Sequence, residues 1–333
     1  MAGAGLAIKR GRTRFRQMIF GGKVKFLICV LLLFPKLAWG ENRFQKLINL
    51  ADRESNNPKA IALYTEALEA WRPPDGEKFK ILAYVSRGEA NMRIYEYENA
   101  LSDYNAALSV DYKDPTAIAG IHSARGVAYL GLKDYESALQ DSNQAIRLMP
   151  KSGAQMFNAT IYFNRGALFL EMKEYSRALQ DFNTAIAWRP KNATRTDRCQ
   201  DYLKRGICAF KLKQYKSSLE DLSRAIQIKK NTTAYYYRGK IYEILGDLKG
   251  AAMDYSKLAE IMRTVKDDPG PKSTMMRKRG QVEEEFADAH FRLGRINEKS
   301  GGINSARREY KVACGLRHES ACRALKRLSS RRN

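Results

Sequence analysis

Few residues in this chain have the types and spacings that chemistry requires. The histidines are His122, His290 and His318. His122 and His290 fall within helical patterns and have no serine or cysteine nearby for an imidazole to activate, so both read as structural. His318 stands midway between Cys314 and Cys322 in YKVACGLRHESACRAL. These three side chains could hold zinc, but a structural zinc site takes four ligands and a fourth is not evident. The fate of the two thiols otherwise depends on the redox state of the compartment. Cys199 and Cys208 lie nine residues apart. Nine residues turn a helix through about 900°, which sets these thiols on opposite faces and argues against their pairing with each other. Core packing is the expected role of Cys208. No phosphate loop, zincin motif, haem-attachment motif or dinucleotide fingerprint occurs, so neither a catalytic residue nor a cofactor is expected.

The elements that must carry these residues repeat along the chain. In the stretch from Phe157 to Pro190, Tyr162, Phe163, Leu168, Phe169 and Met172 recur at helical spacing, and so do Tyr175, Ala178, Leu179, Phe182, Ala185 and Ile186. Pro190 stops the second helix. Taking Gly166 as anchor, with Ala178 and Ala185 downstream, the same frame fits Gly88, Gly126, Gly206, Gly239 and Gly294, each with a small or apolar residue at the later places. A degenerate first copy carries Ile48, Ala60 and Ala67. A hairpin of this kind cannot bury its apolar faces alone, so copies must stack.

Gly166, Phe169, Ala178, Phe182, Ala185 and Pro190 resemble the tetratricopeptide repeat, and the likeness extends over residues 41–325. The resemblance implies an all-α, right-handed superhelical solenoid of about seven helix hairpins plus a C-terminal capping helix, with no catalytic activity. The expected organisation is repeats one to six over 41–262, an insertion over 263–285, the seventh repeat over 286–314, and a capping helix with a basic tail over 315–333. The stretch around Cys314 and Cys322 is similar to the cysteine-rich Sel1-like repeats. That likeness implies a Cys314–Cys322 disulfide pinning the capping helix to the last repeat. Some relatives of that kind have been linked to β-lactam binding, but no nucleophile with a base supports an enzyme here.

The residue before the anchor glycine is arginine in five copies, and an aspartate follows sixteen residues later. The pairs are Arg87 with Asp103, Arg125 with Asp141, Arg165 with Asp181, Arg205 with Asp221 and Arg238 with Asp254. In the first copy both are replaced together, by Leu47 and Leu63, and the last copy has Leu293 and Glu309. Joint presence and joint loss predict a partly buried, charge-assisted bond joining the two helices of each hairpin.

The first 25 residues are basic and hold no acid, and Phe26 to Phe34 is apolar. Ala38-Trp39-Gly40 then offers small residues where a signal peptidase reads, so residues 1–40 are expected to be a secretory signal cleaved near Gly40, with an uncleaved inner-membrane anchor as the alternative. The apolar run is short for a membrane-spanning helix. The net charge is +23, and removing the eight Lys and Arg of residues 1–40 leaves +15. Such a charge favours anionic partners: acidic proteins, anionic lipid or cell-wall polymer. Nucleic acid is not expected, since no base-reading motif is present. Three sequons begin at Asn158, Asn192 and Asn231 and would matter only in a eukaryotic host.

The resemblance also implies that the first helices line a concave groove that holds a partner peptide. The residues it places there are Phe163, Leu170, Leu203, Ile207, Phe210, Tyr236, Lys240, Phe291 and Arg295. They are apolar and aromatic in the middle and charged towards the C-terminal end. The lysine and asparagine that clamp a carboxylate in chaperone-binding members are absent. An apolar segment flanked by acids is the expected occupant. The leading expectation is therefore a non-catalytic interaction scaffold of the cell envelope, periplasmic or secreted. The alternative is a basic envelope-structure protein held on anionic lipid or wall polymer.

Overall fold

The computed structural model describes residues 42–266 and 276–330, with side chains for 42–263 and 283–330. The proposed signal, residues 267–275 and the last three residues lie outside it. The described residues form fifteen α-helices and no strand. In chain order these are α1 Arg43–Arg53, α2 Asn57–Ala70, α3 Glu77–Arg93, α4 Tyr97–Ser109, α5 Pro115–Leu132, α6 Tyr135–Leu148, α7 Gln155–Glu171 and α8 Tyr175–Trp188. There follow α9 Arg195–Lys211, α10 Tyr215–Ile228, α11 Thr232–Ile244, α12 Leu248–Lys266, α13 Met276–Lys299, α14 Ile303–Gly315 and α15 Glu319–Ser330. Seven antiparallel hairpins and one terminal helix result.

Local chemistry sets the helix starts. Asn56, Asp114, Asp134, Thr194 and Asn231 each accept a bond from a backbone N–H in the first turn, which satisfies donors that no preceding carbonyl can reach. Pro115 adds a preset φ at the first position of α5. The turn inside each hairpin is equally regular. The seventh residue after the anchor glycine is left-handed in hairpins two to seven: Tyr95, Lys133, Lys173, Lys213, Gly246 and Gly301.

Packing then follows the small residues. Ala100, Ala138, Ala178, Ala251 and Ala306 are fully buried at one place of the frame. Ser218 takes that place in hairpin five, and its hydroxyl donates to the Gly206 carbonyl at 2.7 Å, so its polar atom costs little to bury. Opposite them the anchor glycines allow close approach. A Cβ on Gly166 would lie 3.0 Å from a Phe182 ring carbon and 3.2 Å from the Asp181 Cβ. The two helices of a hairpin pack along their length, and each second helix packs on the first helix of the next hairpin. First helices also touch first helices of the adjoining hairpins, so they form the inner wall of the stack.

One boundary differs from the sequence expectation. The first helix of the seventh hairpin begins at Met276, ahead of the Gln281–Phe286 stretch expected to extend it and inside the span expected to be an insertion. The run from Gln281 to Lys299 has no proline and only Gly294 to weaken it, so nothing breaks the helix once it starts. Glu285, within that span, is buried and accepts a bond from Thr233 of α11 at 2.9 Å. The second helix of hairpin six likewise runs beyond residue 262, to Lys266.

Candidate functional site

The five arginine–aspartate pairs close inside their own hairpins. Arg165 donates from Nε and Nη2 to the two Asp181 oxygens at 2.7 and 2.8 Å. Arg125, Arg205 and Arg238 make the same fork with Asp141, Asp221 and Asp254. Arg87 instead puts both donors on one oxygen of Asp103, and Asn91 donates to the other at 3.1 Å. The arginine side chains are 19–23% exposed and the aspartates 3–6%, so these are half-sheltered bonds, unlike surface pairs. Burial pushes the Asp103 carboxyl up, against the bonds from Arg87. At Asp141 burial is outweighed by bonds from Arg125 and His122, and the carboxyl sits below its usual range. His290 faces Glu309 in the seventh hairpin as His122 faces Asp141.

Each arginine has a third contact that the pair spacing does not disclose. Its Nη1 donates into the preceding hairpin, to Thr65, Asn105, Asn143, Asn183 or Ser223. Four of these acceptors stand two residues after the preceding aspartate, a D-x-N or D-x-S signature, and Thr65 stands two after Leu63. One guanidinium thus joins three helices. A sixth pair, Arg189 with Asp201, is more deeply buried and links the end of hairpin four to hairpin five. The sequence frame missed it because it occurs once, at a helix end.

The nine residues expected in the groove separate into three groups. Leu203, Ile207 and Tyr236 are in the core and offer little surface, a correction to the expectation. Leu203 and Ile207 pack with Leu222 and Ile241, and the Tyr236 hydroxyl donates to Asp288 at 2.7 Å. Their places face the neighbouring first helix, which covers them. The second group, Phe163, Leu170, Phe210 and Lys240, is half-buried along the middle of the inner wall. The Phe210 ring lies edge-on to Tyr237, with centroids 5.3 Å apart. The Lys240 Nζ sits 5.1–5.9 Å from the centroids of Phe210, Tyr236 and Tyr237. Burial and the nearby Arg292 lower the ammonium pKa, so an added negative charge would be favourable there. The third group, Phe291 and Arg295, belongs to a cavity at the C-terminal end.

Between the last two groups a polar cluster crosses the wall. Arg292 donates to Asp288 at 2.6 Å and to Glu243 at 2.7 Å. Burial works against the Asp288 charge, but the bonds from Arg292 and Tyr236 hold that carboxyl below its usual range. Cys314 and Cys322 form a disulfide. His318 in the loop it closes stacks on Phe291, with centroids 4.5 Å apart, and is not placed as a zinc ligand with the two sulfurs. Cys199 and Cys208 are free and buried in different clusters, and burial raises both thiols, Cys208 to about 12. Neither is a nucleophile at neutral pH. Asn158 is fully buried, so its sequon cannot carry a glycan in the folded chain. No group of metal-ligating side chains occurs among the described residues, and none of their helices is long and apolar enough to cross a membrane.

Residues 119–152 and 159–192, which are hairpins three and four, match the tetratricopeptide repeat family. Among solved structures, the chain is similar to a tetratricopeptide repeat protein from Parabacteroides merdae ATCC 43184. Identity is 20%, the TM-score is 0.51, and the match covers 86% of this chain and 99% of that one. It is also similar to pilF of Pseudomonas aeruginosa, at 14% identity, a TM-score of 0.55, and 72% and 93% coverage. A third match is the C-terminal part of a TPR repeat-containing protein from Cytophaga hutchinsonii, at 17% identity, a TM-score of 0.54, and 85% and 99% coverage. At these identities the likeness concerns the fold. No curated protein sequence matches the chain. The Gly–Ala frame, the stacked hairpins and these matches together establish that this chain carries tetratricopeptide repeats on an all-helical solenoid.

Proposed function

We propose that this chain is a non-catalytic protein-interaction scaffold of the cell envelope, exported through its first 40 residues. It holds an apolar partner segment that carries acidic side chains against the middle of its inner wall. The observation that carries this reading is Lys240 among three aromatic rings, beside the half-buried Phe210 and Phe163. Aromatic faces take an apolar side chain, and a cation lowered by burial takes the adjacent carboxylate. The basic signal-like start and the disulfide support export to an oxidising compartment, with the periplasm as the proposed site. The net charge of +15 after residue 40 favours a second reading, in which the chain sits on anionic lipid or wall polymer through charge alone.

A pull-down from envelope extract with residues 41–333, at low and high salt, separates the two. A Phe163→Ala, Phe210→Ala, Lys240→Ala variant runs beside it. A protein kept at high salt and lost by the variant supports the groove. Anionic species released by salt from both chains alike would sink the groove reading in favour of the charge-driven one.

A further inference from the structure

A cavity of about 510 Å³ opens where α13 meets α14 and α15. That size lies in the range of ligand sites. Its sheltered side is apolar: Phe291, the buried Tyr310 and Ala324. Its exposed side carries four cations, Arg295, Lys299, Arg323 and Arg327, against a single carboxylate, Glu298. That carboxylate is already committed. It accepts from Arg327 at 2.6 and 2.7 Å and from the Tyr310 hydroxyl at 2.9 Å. The other three cations have little to neutralise them. Arg295 is 3.9 Å from Glu243, which is taken by Arg292 at 2.7 Å. Arg323 donates to the Ser320 hydroxyl at 3.1 Å, and its one carboxylate neighbour among the described residues is Glu319, at 3.7 Å, with both side chains mostly exposed. Lys299 has no acidic partner among the described residues.

We propose that this cavity is a binding site for a compact organic dianion attached to an apolar group, the apolar part lying on Phe291, Tyr310 and Ala324 and two carboxylates meeting Arg295, Lys299 and Arg323. A polypeptide that ends in an acidic and then an apolar residue presents this chemistry, and so does a free apolar dicarboxylate. The site is separate from the Phe210–Lys240 strip, from which the Arg292 cluster divides it. α15 forms one wall, and the Cys314–Cys322 bridge ties that helix to α14.

Calorimetric titration of the oxidised chain with N-acetyl-Asp-Phe, its C-terminal amide and inorganic phosphate tests the site. The dianionic dipeptide binds, the amide binds about tenfold more weakly for the loss of one charge-assisted contact, and phosphate binds more weakly than both. A Lys299→Ala, Arg323→Ala variant, altered only at exposed positions, loses dipeptide binding, whereas a Phe210→Ala, Lys240→Ala variant keeps it. A longer acidic peptide ending in Asp-Phe distinguishes the sources. Tighter binding than the dipeptide assigns the site to a protein terminus, and equal binding assigns it to a small molecule. The proposal is overturned if dipeptide and amide bind equally, if the dipeptide does not bind, or if the Lys299/Arg323 variant binds as the parent does. Loss through the Phe210/Lys240 variant instead would place the ligand in the central groove and overturn this site alone.

Discussion

In hairpins two to six an arginine closes each interface from within, on an aspartate of its own hairpin and an acceptor of the one before. In the seventh hairpin those two places hold Leu293 and Glu309, and the arginine bond to the hairpin before is made by Arg292, one residue earlier. That one-residue step turns the guanidinium by about 100° around the helix. It leaves the interface and reaches Glu243 of α11, on the inner wall. The comparison shows how one frame yields two kinds of surface. Where the charge is spent inside the stack, the wall is left apolar, around Phe163 and Phe210. Where it is moved outward, the wall becomes polar and the end of the stack carries a disulfide.

The strongest break in that comparison is Asp181→Ala. It strands the half-buried Arg165, and unfolding in urea should show a loss of about 3–5 kcal/mol. Glu309→Ala should cost only about 1 kcal/mol, because Glu309 is more exposed than the aspartates of the other hairpins. The first hairpin supplies the control, since Leu47 and Leu63 occupy these two places within an apolar core. Arg165→Leu with Asp181→Leu should therefore recover most of the loss, to within about 1–2 kcal/mol of the parent. A double variant as unstable as the single one would mean that the link to Asn143 outweighs the pair.

The second break acts at the other end. Cys314→Ser with Cys322→Ser should cost α15 about 2–3 kcal/mol of local stability, since the bridge closes a short loop and few large side chains hold this helix. Amide exchange should quicken in α15 while hairpins two to six keep their protection. Uniform quickening along the chain would show that the cap supports the whole stack.

The frame of the fold was legible because it repeats. Glycine and alanine recur at fixed offsets, and arginine and aspartate vanish together in the first copy. What was not legible is what happens once, or between copies. Arg189 and Asp201 lie twelve residues apart across a turn and recur nowhere. The asparagine of D-x-N is visible as a pattern, but its partner lies 20–22 residues downstream in another hairpin. Leu203, Ile207 and Tyr236 have the composition of a binding surface and the burial of a core. Only the neighbouring first helix decides between the two.

A smaller effect sharpens the difference within the ladder itself. Asp141 has a folded pKa below its unfolded value, so it adds stability above the unfolded value and loses it as pH falls through the folded one. Asp103 has a raised folded pKa, so its contribution runs the other way and declines as pH rises through that value. Asp141→Asn should flatten the rise of stability below the ordinary carboxylate pKa of about 4, and Asp103→Asn should remove a decline above it. Equal slopes in both variants would show that the extra bond from His122 does not distinguish the two sites.

The smallest effect concerns the turns. Hairpins six and seven place Gly246 and Gly301 at the left-handed position, while hairpins three to five hold Lys133, Lys173 and Lys213 in the same conformation. An L side chain there meets a backbone oxygen, which costs about 1–2 kcal/mol, and glycine escapes that cost but loses more entropy on folding. Lys173→Gly should therefore stabilise the chain by a net of about 0.5–1 kcal/mol, whereas Gly246→Lys should destabilise it by a comparable amount. Thermal unfolding of the two variants measures both signs. A destabilising Lys173→Gly would show that the lysine charge at the helix C-terminus outweighs its backbone strain, and the lysines of the central hairpins would then be there for the helix dipole.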